Sequence, residues 1–223
     1  VRSYFQWLRE NQHVGESAPN PFIKDDIVWP KRLVEKQPYV PFSVAEVVQL
    51  RQAALTKGDV VLVRFMDIAQ YTGMRLAEVA QTSKDSVIVQ DGIQCLKVKD
   101  DAKTAASRSR VVPIAKTLLD RVDLLSVAAP VSSAYEGQEV GKRFGRLKSA
   151  LGFDRQHAFH SIRKTAATVF EQAGISEGIT ADIVGHEKQT MTYGLYSGGT
   201  STVQRKQAID QFEVLMLKLE QDP

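Results

Sequence analysis

Along this chain the spacing of apolar residues changes period twice, and each change marks a boundary between kinds of structure. Val1–Glu10 carries Tyr4, Phe5, Trp7 and Leu8 in an amphipathic pattern that predicts a short helix. A polar stretch follows, with Ala18-Pro19-Asn20-Pro21 and further prolines at Pro30, Pro38 and Pro41 that keep Asp25–Pro41 extended. It reads as a linker, and a compact domain begins near Pro41. Phe42-Ser43-Val44-Ala45-Glu46 is a capping box, with Ser43 as N-cap and Glu46 at the third helical position, opening a helix to about Leu55. Val60–Gln70 is rich in apolar residues and predicts a central helix; Tyr71-Thr72-Gly73 breaks it, and a short helix starts in Arg75–Gln81. The period then drops to two. Ser86–Gln90, Gln94–Lys99 and Arg108–Ile114 predict three strands, the first two joined by Asp91-Gly92. Helical spacing returns in Ala115–Leu125, Glu139–Leu151, Ser161–Ala173, Gly178–Val184 and Val203–Leu219. The expected class is therefore mainly α with a small antiparallel three-stranded β-sheet (α+β), without internal repeats.

Composition narrows this only slightly. With 223 residues, 43% of them hydrophobic, the chain can bury one sizeable core. No apolar run approaches the roughly 20 residues of a membrane span, and the N-terminal residues lack a secretory cleavage pattern. Cys95 is the single cysteine, so neither an internal disulfide nor a thiolate metal cluster is expected, and a reducing, cytoplasmic setting is favoured. The net charge of +3 is uninformative, but its distribution is not. Lys142, Arg143, Arg146 and Lys148 share one helix-like segment, and Lys103, Arg108 and Arg110 share a hairpin-like one. The C-terminal stretch is partly acidic. Such a basic surface suits a phosphate-rich partner; a merely solvated face is the alternative.

Three segments hold candidate chemistry. Tyr71-Thr72-Gly73-Met74-Arg75-Leu76-Ala77-Glu78 sets Arg75 at a helix start with Glu78 one turn on. His157-Ala158-Phe159-His160-Ser161-Ile162-Arg163 puts His160 and Arg163 on one helix face. Val184-Gly185-His186 is followed by Met191-Thr192-Tyr193-Gly194-Leu195-Tyr196. Two guanidinium forks can grip the non-bridging oxygens of one phosphodiester and stabilise charge developing at phosphorus. Histidines can donate hydrogen bonds or move a proton. A tyrosine, with a pKa near 10, needs that cationic setting to act as a nucleophile. No ring of carboxylates suggests magnesium, so metal-free attack on DNA, without a cofactor, is the chemistry implied. His157 and His160 at i, i+3 could begin a metal site, but no third ligand is evident.

Arg75 in TGMRLAEV, Glu78, Lys103 in DDAKTAASRSRVVPI, His160 and Arg163 in HSIR, His186 in VGHEKQTM and Tyr196 in MTYGLY follow one another in an order that resembles the catalytic domain of the tyrosine recombinase, or phage integrase, family. The resemblance covers roughly Pro41 to Asp210. It implies that residues 1–40 are the end of a core-binding domain with its linker, and 41–223 the catalytic domain. Arg75 and Arg163 would hold the scissile phosphate, Lys103 would protonate the leaving 5′ oxygen, and Tyr196 would be the nucleophile. His160 would assist its proton transfer, His186 would donate to a phosphate oxygen, and Glu78 would orient the neighbouring arginine and histidine. Tyr193 remains the rival nucleophile, and Lys97 and Lys99 are neighbours of Lys103. Lys142, Arg143, Arg146, Lys148 and Arg108 are the expected DNA contacts. The implied partners are double-stranded DNA, other copies of the chain in a tetramer, and accessory bending or directionality factors. Helix Val203–Leu219, with Ala208, Phe212, Leu215 and Leu219 as its stripe, is expected to dock on a neighbouring subunit rather than on its own domain. A type IB topoisomerase-like relaxation activity and a non-catalytic DNA-binding module are the competing readings.

Overall fold

The computed structural model describes residues 2–18, 38–98, 110–128, 133–186 and 199–221. The chain divides into two units, Val1–Gln37 and Pro38–Pro223. In the first, helix α1 (Arg2–Glu10) stacks Tyr4 on Trp7 with ring centroids 5.9 Å apart.

The second unit begins with the expected capping box. The Ser43 N–H donates to Glu46 Oε2 at 2.7 Å, and the Glu46 N–H donates back to Ser43 Oγ at 3.1 Å. This starts helix α2 (Val44–Thr56), which buries Val44, Val47, Leu50 and Ala54. Asp59 caps α3 (Val60–Thr72), the central helix, buried almost all round from Leu62 to Thr72. Short α4 (Leu76–Val79) follows. Strands β1 (Val87–Gln90), β2 (Ile93–Val98) and β3 (Arg110–Pro113) form an antiparallel meander in that order. Gln90 pairs with Ile93 across a two-residue turn in which Asp91 and Gly92 have φ of 52° and 74°, the left-handed pair that a type I′ hairpin requires.

One expected helix is split. Ala115–Leu125 becomes α5 (Lys116–Arg121) and a separate turn at Leu124–Ser126, because Val122 turns extended and the Asp123 carboxylate accepts from the Ser126 N–H to start again. Helix α6 (Ser133–Ala150) begins a turn and a half before the expected Glu139. Helices α7 (Phe159–Gln172) and α8 (Glu177–Val184) match their patterns closely.

Helix α9 (Thr202–Gln221) packs on its own domain, against β3, α2, α7 and α8. Phe212 stacks on Phe170 at 4.1 Å between centroids and meets Tyr71 edge to face at 6.2 Å. The buried stripe is Ala208, Ile209, Phe212, Glu213 and Met216; of the expected positions Ala208 and Phe212 are buried, and Leu215 and Leu219 pack against the core. The Glu213 carboxylate turns this into a specific dock, accepting from the Lys116 and Thr117 N–H groups at the start of α5. Truncating a ring packed as Phe212 is costs about 3–5 kcal/mol.

Candidate active site

Two helix ends build the site. Helix α3 stops at Gly73 (φ 64°) and α8 at Gly185 (φ 78°), both in the left-handed region. Neither tolerates a side chain. A Cβ on Gly73 would lie 2.5 Å from Val184 Cγ1, and one on Gly185 would lie 2.7 Å from Arg110 Nη1. Helix C-termini leave carbonyls without intrahelical partners and with partial negative charge. Arg163, buried on α7, collects them. Its Nη1 donates to Gly73 O at 2.7 Å and to Val184 O, and its Nη2 donates to Gly185 O at 3.2 Å. Arg75 Nη2 donates to the same Gly185 O at 3.1 Å, so one carbonyl gathers both arginines.

Beneath Arg75 lies Glu78, whose side chain is 1% exposed. Its Oε2 accepts from the Arg75 N–H at 2.8 Å and its Oε1 from Arg75 Nη1 at 2.9 Å. Arg110 adds a parallel pair, Nη1 to Oε1 at 3.0 Å and Nη2 to Oε2 at 2.8 Å, while its Nε donates to Ile183 O at 2.9 Å. Removing one partner of such a buried pair typically costs about 3–5 kcal/mol.

The electrostatics follow. Burial pushes the Glu78 pKa up, but the bonds and charges of Arg110 and Arg75 outweigh it and hold the carboxyl at about 2. Burial, then Arg75, push Arg163 below the usual guanidinium range, without costing it its proton at neutral pH. His160, in the first turn of α7, and His186, next to Gly185, both keep exposed surface. Partial burial, then Arg163 and other nearby cations, lower both imidazole pKa values, that of His186 to about 4. Both rings are therefore neutral near pH 7 and able to donate one hydrogen bond or accept a proton.

The structure thus brings together Arg75, Glu78, His160, Arg163 and His186. Lys103, Arg108, Tyr193 and Tyr196 lie outside the described residues. The other described basic candidates all lie on α6. Arg143 pairs with Asp59 at 3.1 Å, Lys148 donates to the Phe153 and Asp154 carbonyls, and Lys142 pairs with Glu139 at 2.7 Å, with Arg146 exposed. His157 is structural. It bonds Asp154 at 2.7 Å and lies 4.8 Å from the Phe42 ring. Past His186, the chain is described again from Gly199, where the Thr200 N–H and hydroxyl donate to Asp182 Oδ2 at 2.8 and 2.9 Å. Both flanks of segment 187–198 are therefore fixed to the last turns of α8.

Sequence reasoning assigned Arg110 no part in this site. A signal existed: Arg110 is in phase with Val112 and Ile114, so it occupies a core-facing position of β3. A buried arginine needs a buried partner.

The sequence matches the phage integrase family over residues 42–200. Among solved structures, the chain is similar to the phage lambda integrase catalytic core, at 21% identity and TM-score 0.51, covering 67% of this chain and 96% of that one. It is similar to an integrase from mycobacterium phage Brujita, at 16% identity and TM-score 0.57, covering 98% and 74%. A lambda integrase tetramer bound to a Holliday junction matches at 18% identity and TM-score 0.55; it covers 85% of this chain, which spans 57% of that longer protein. No curated protein sequence matches.

Proposed function

The chain belongs to the phage integrase family, and on that premise we propose that it is the catalytic part of a tyrosine-type, site-specific DNA recombinase that integrates or excises a mobile element. One observation carries the reading. Among the described residues, three guanidinium groups and one carboxylate gather around Glu78 and Gly185 O, with His160 and His186 beside them. That excess of positive charge is what a phosphodiester and its more highly charged transition state require.

Arg75 and Arg163 grip the non-bridging oxygens. The Tyr196 oxygen attacks phosphorus, forming a 3′-phosphotyrosyl bond and breaking the bond to the 5′ oxygen. His160 takes the phenol proton, Lys103 supplies one to the leaving 5′ oxygen, and His186 donates to a phosphate oxygen. A 5′ hydroxyl of a partner duplex then reverses these steps onto a new strand. Double-stranded DNA is the substrate, a tetramer on DNA the assembly, and accessory bending or directionality factors are further partners. The relative crystallised on a Holliday junction as a tetramer supports this assembly by analogy of fold.

The test is a nicked duplex carrying the protein's own crossover site. The intact protein should become covalently attached, and mass analysis should find the DNA on the peptide containing Tyr196. Tyr196→Phe should form no adduct. An adduct with that variant moves the nucleophile elsewhere, with Tyr193 first in line, and no adduct with the unaltered protein sinks the recombinase reading.

A further inference from the structure

We propose that Tyr39 is a positioning residue for strand cleavage, whose ring holds the His160 imidazole in the orientation that takes the phenol proton. This rests on the recombinase reading and names a residue which that reading leaves out.

His160 and the histidine one turn before it are held in different ways. His157 Nδ1 bonds Asp154 at 2.7 Å, and its ring lies 4.8 Å from that of Phe42 and 5.4 Å from that of Phe153. Among the described residues no hydrogen bond reaches the His160 ring, and its ring contact is Tyr39, 6.2 Å between centroids with the planes inclined by 51°. That geometry lies in the range of tilted aromatic pairs. A group that receives a proton from one particular atom gains rate from being presented in one orientation. For the His160 imidazole, the Tyr39 ring supplies that restraint.

Tyr39 can do so because its backbone is tied to the helix that carries His160. Pro38 and Pro41 bracket it, and Pro41 restricts Val40 to extended backbone. The Val40 N–H donates to Gln156 O at 3.1 Å, just ahead of α7. On α7 itself, Lys164 Nζ donates to Tyr39 O, and Thr165 Oγ1 donates to Phe42 O at 2.7 Å. Phe42 is buried and meets Phe144 and Phe153 edge to face. Residues 39–42 are thus a strap along the first two turns of α7. Tyr39 is 39% exposed, so replacing it removes a contact with His160 and not a piece of the core.

The groups that face His160 are Tyr39 from the strap, Arg163 and Lys164 from α7, Arg75 at the start of α4, and His186 across the site. Burial, ahead of Arg163, Lys164 and Arg75, lowers the imidazole pKa, and the Tyr39 ring contributes to that burial.

The experiment measures single-turnover adduct formation at saturating DNA, in the intact protein on its own nicked site, at pH 6 and at pH 8. Tyr39→Ala should slow it per folded molecule by about tenfold, a part of the roughly 10²–10⁴-fold that a positioned proton acceptor supplies. The loss should be larger at pH 6, because a better-solvated imidazole gains its proton at higher pH. Tyr39→Phe keeps the ring and should stay within about twofold of the unaltered rate. In a His160→Ala background, Tyr39→Ala should cost nothing further, since the two act as one unit. Without DNA, the His160 imidazole followed by NMR should titrate at higher pH in Tyr39→Ala. A residue that only stabilised the fold would lower Tm and move neither the rate per folded molecule nor that titration.

A Tyr39→Ala rate within about twofold of the unaltered protein overturns the proposal, as does an unmoved titration or an equal loss in Tyr39→Phe. A loss that persists in full without His160 also overturns it, and makes Tyr39 a DNA contact instead. Should Tyr39→Ala not fold, Tyr39→Leu decides by the same comparison with and without His160. If the unaltered protein forms no adduct, the recombinase reading fails and the cleavage role of Tyr39 with it; an adduct that Tyr39→Ala forms as fast overturns this inference alone.

Discussion

Helix α3 has an ionic cluster along its length and another at its C-terminal end, and they differ in one respect. Along the helix, Arg51 makes a fork on Asp67 at 2.7 and 3.1 Å, and Arg121 bonds Glu220 from α9 at 3.1 Å while lying 3.7 Å from Asp67. Gln70 and the Tyr71 hydroxyl also donate to Glu220, at 3.0 and 3.2 Å. Two arginines meet two carboxylates, and charge is balanced. There burial wins and raises the Asp67 pKa, and it raises that of the Tyr71 phenol too, the reverse of what a nucleophile needs. Past the helix end, Arg75 and Arg110 both bond Glu78, with Arg163 on the neighbouring carbonyls, and that carboxyl is held at about 2. The lesson is that buried arginines by themselves mark no function. The balanced cluster pins α9 to the core; the arginine-rich one gathers two arginines on a single carbonyl at the ends of two helices.

The largest break in this contrast should come from Arg163→Lys. A lysine cannot bridge the ends of two helices or fork a phosphate, so adduct formation should fall by about 10³-fold or more, read as single-turnover covalent trapping. Glu220→Gln, in the balanced cluster, should leave that rate within about threefold while lowering Tm by several degrees, since removing one side of a buried pair costs about 3–5 kcal/mol at its upper limit. Equal loss of cleavage in both variants, at equal stability, would dissolve the distinction.

A smaller effect concerns pH. The unfolded chain binds protons at His160 and His186 from about pH 6.5 downward, whereas the folded chain keeps them neutral, to about pH 4 for His186. Stability should therefore decline as pH falls through that window. It should decline again between about 4.5 and 2, as Glu78 is protonated first in the unfolded chain. Calorimetry should show Tm falling in two stages, with the upper stage reduced in His186→Asn. Because a bound phosphate favours the charged imidazoles, DNA affinity should rise severalfold from pH 7.5 to 5.5 at fixed salt; a flat profile by fluorescence anisotropy would remove the histidines from the phosphate's vicinity. The smallest change is expected on α6. Lys142→Ala should reduce the salt dependence of DNA binding by about one phosphate contact, whereas Arg143→Ala, which loses Asp59, should act on stability.

Much of the fold was legible from period alone. The capping box at Ser43 and Glu46, the Asp91-Gly92 turn and the run from Phe159 to Gln172 are local devices, decided by neighbours a few residues away. What failed were decisions made at a distance. The end of α5 depends on whether Asp123 continues a helix or caps a new turn.

The site divides in the same way. The sequence by itself determined which chemistry was available: arginines, histidines and a tyrosine on named segments, with glycines where two helices had to stop. Only the tertiary structure decided that the Gly73 and Gly185 carbonyls would converge on Arg163, that Arg110 would reach Glu78 from a strand, and that positive charge would exceed negative at one helix end and not at the other cluster. Hydrogen-bond geometry and burial act between residues far apart in the chain, 110 positions for Arg75 and Gly185 and 150 for Gln70 and Glu220. No local pattern encodes a balance of charge that exists only once those residues meet.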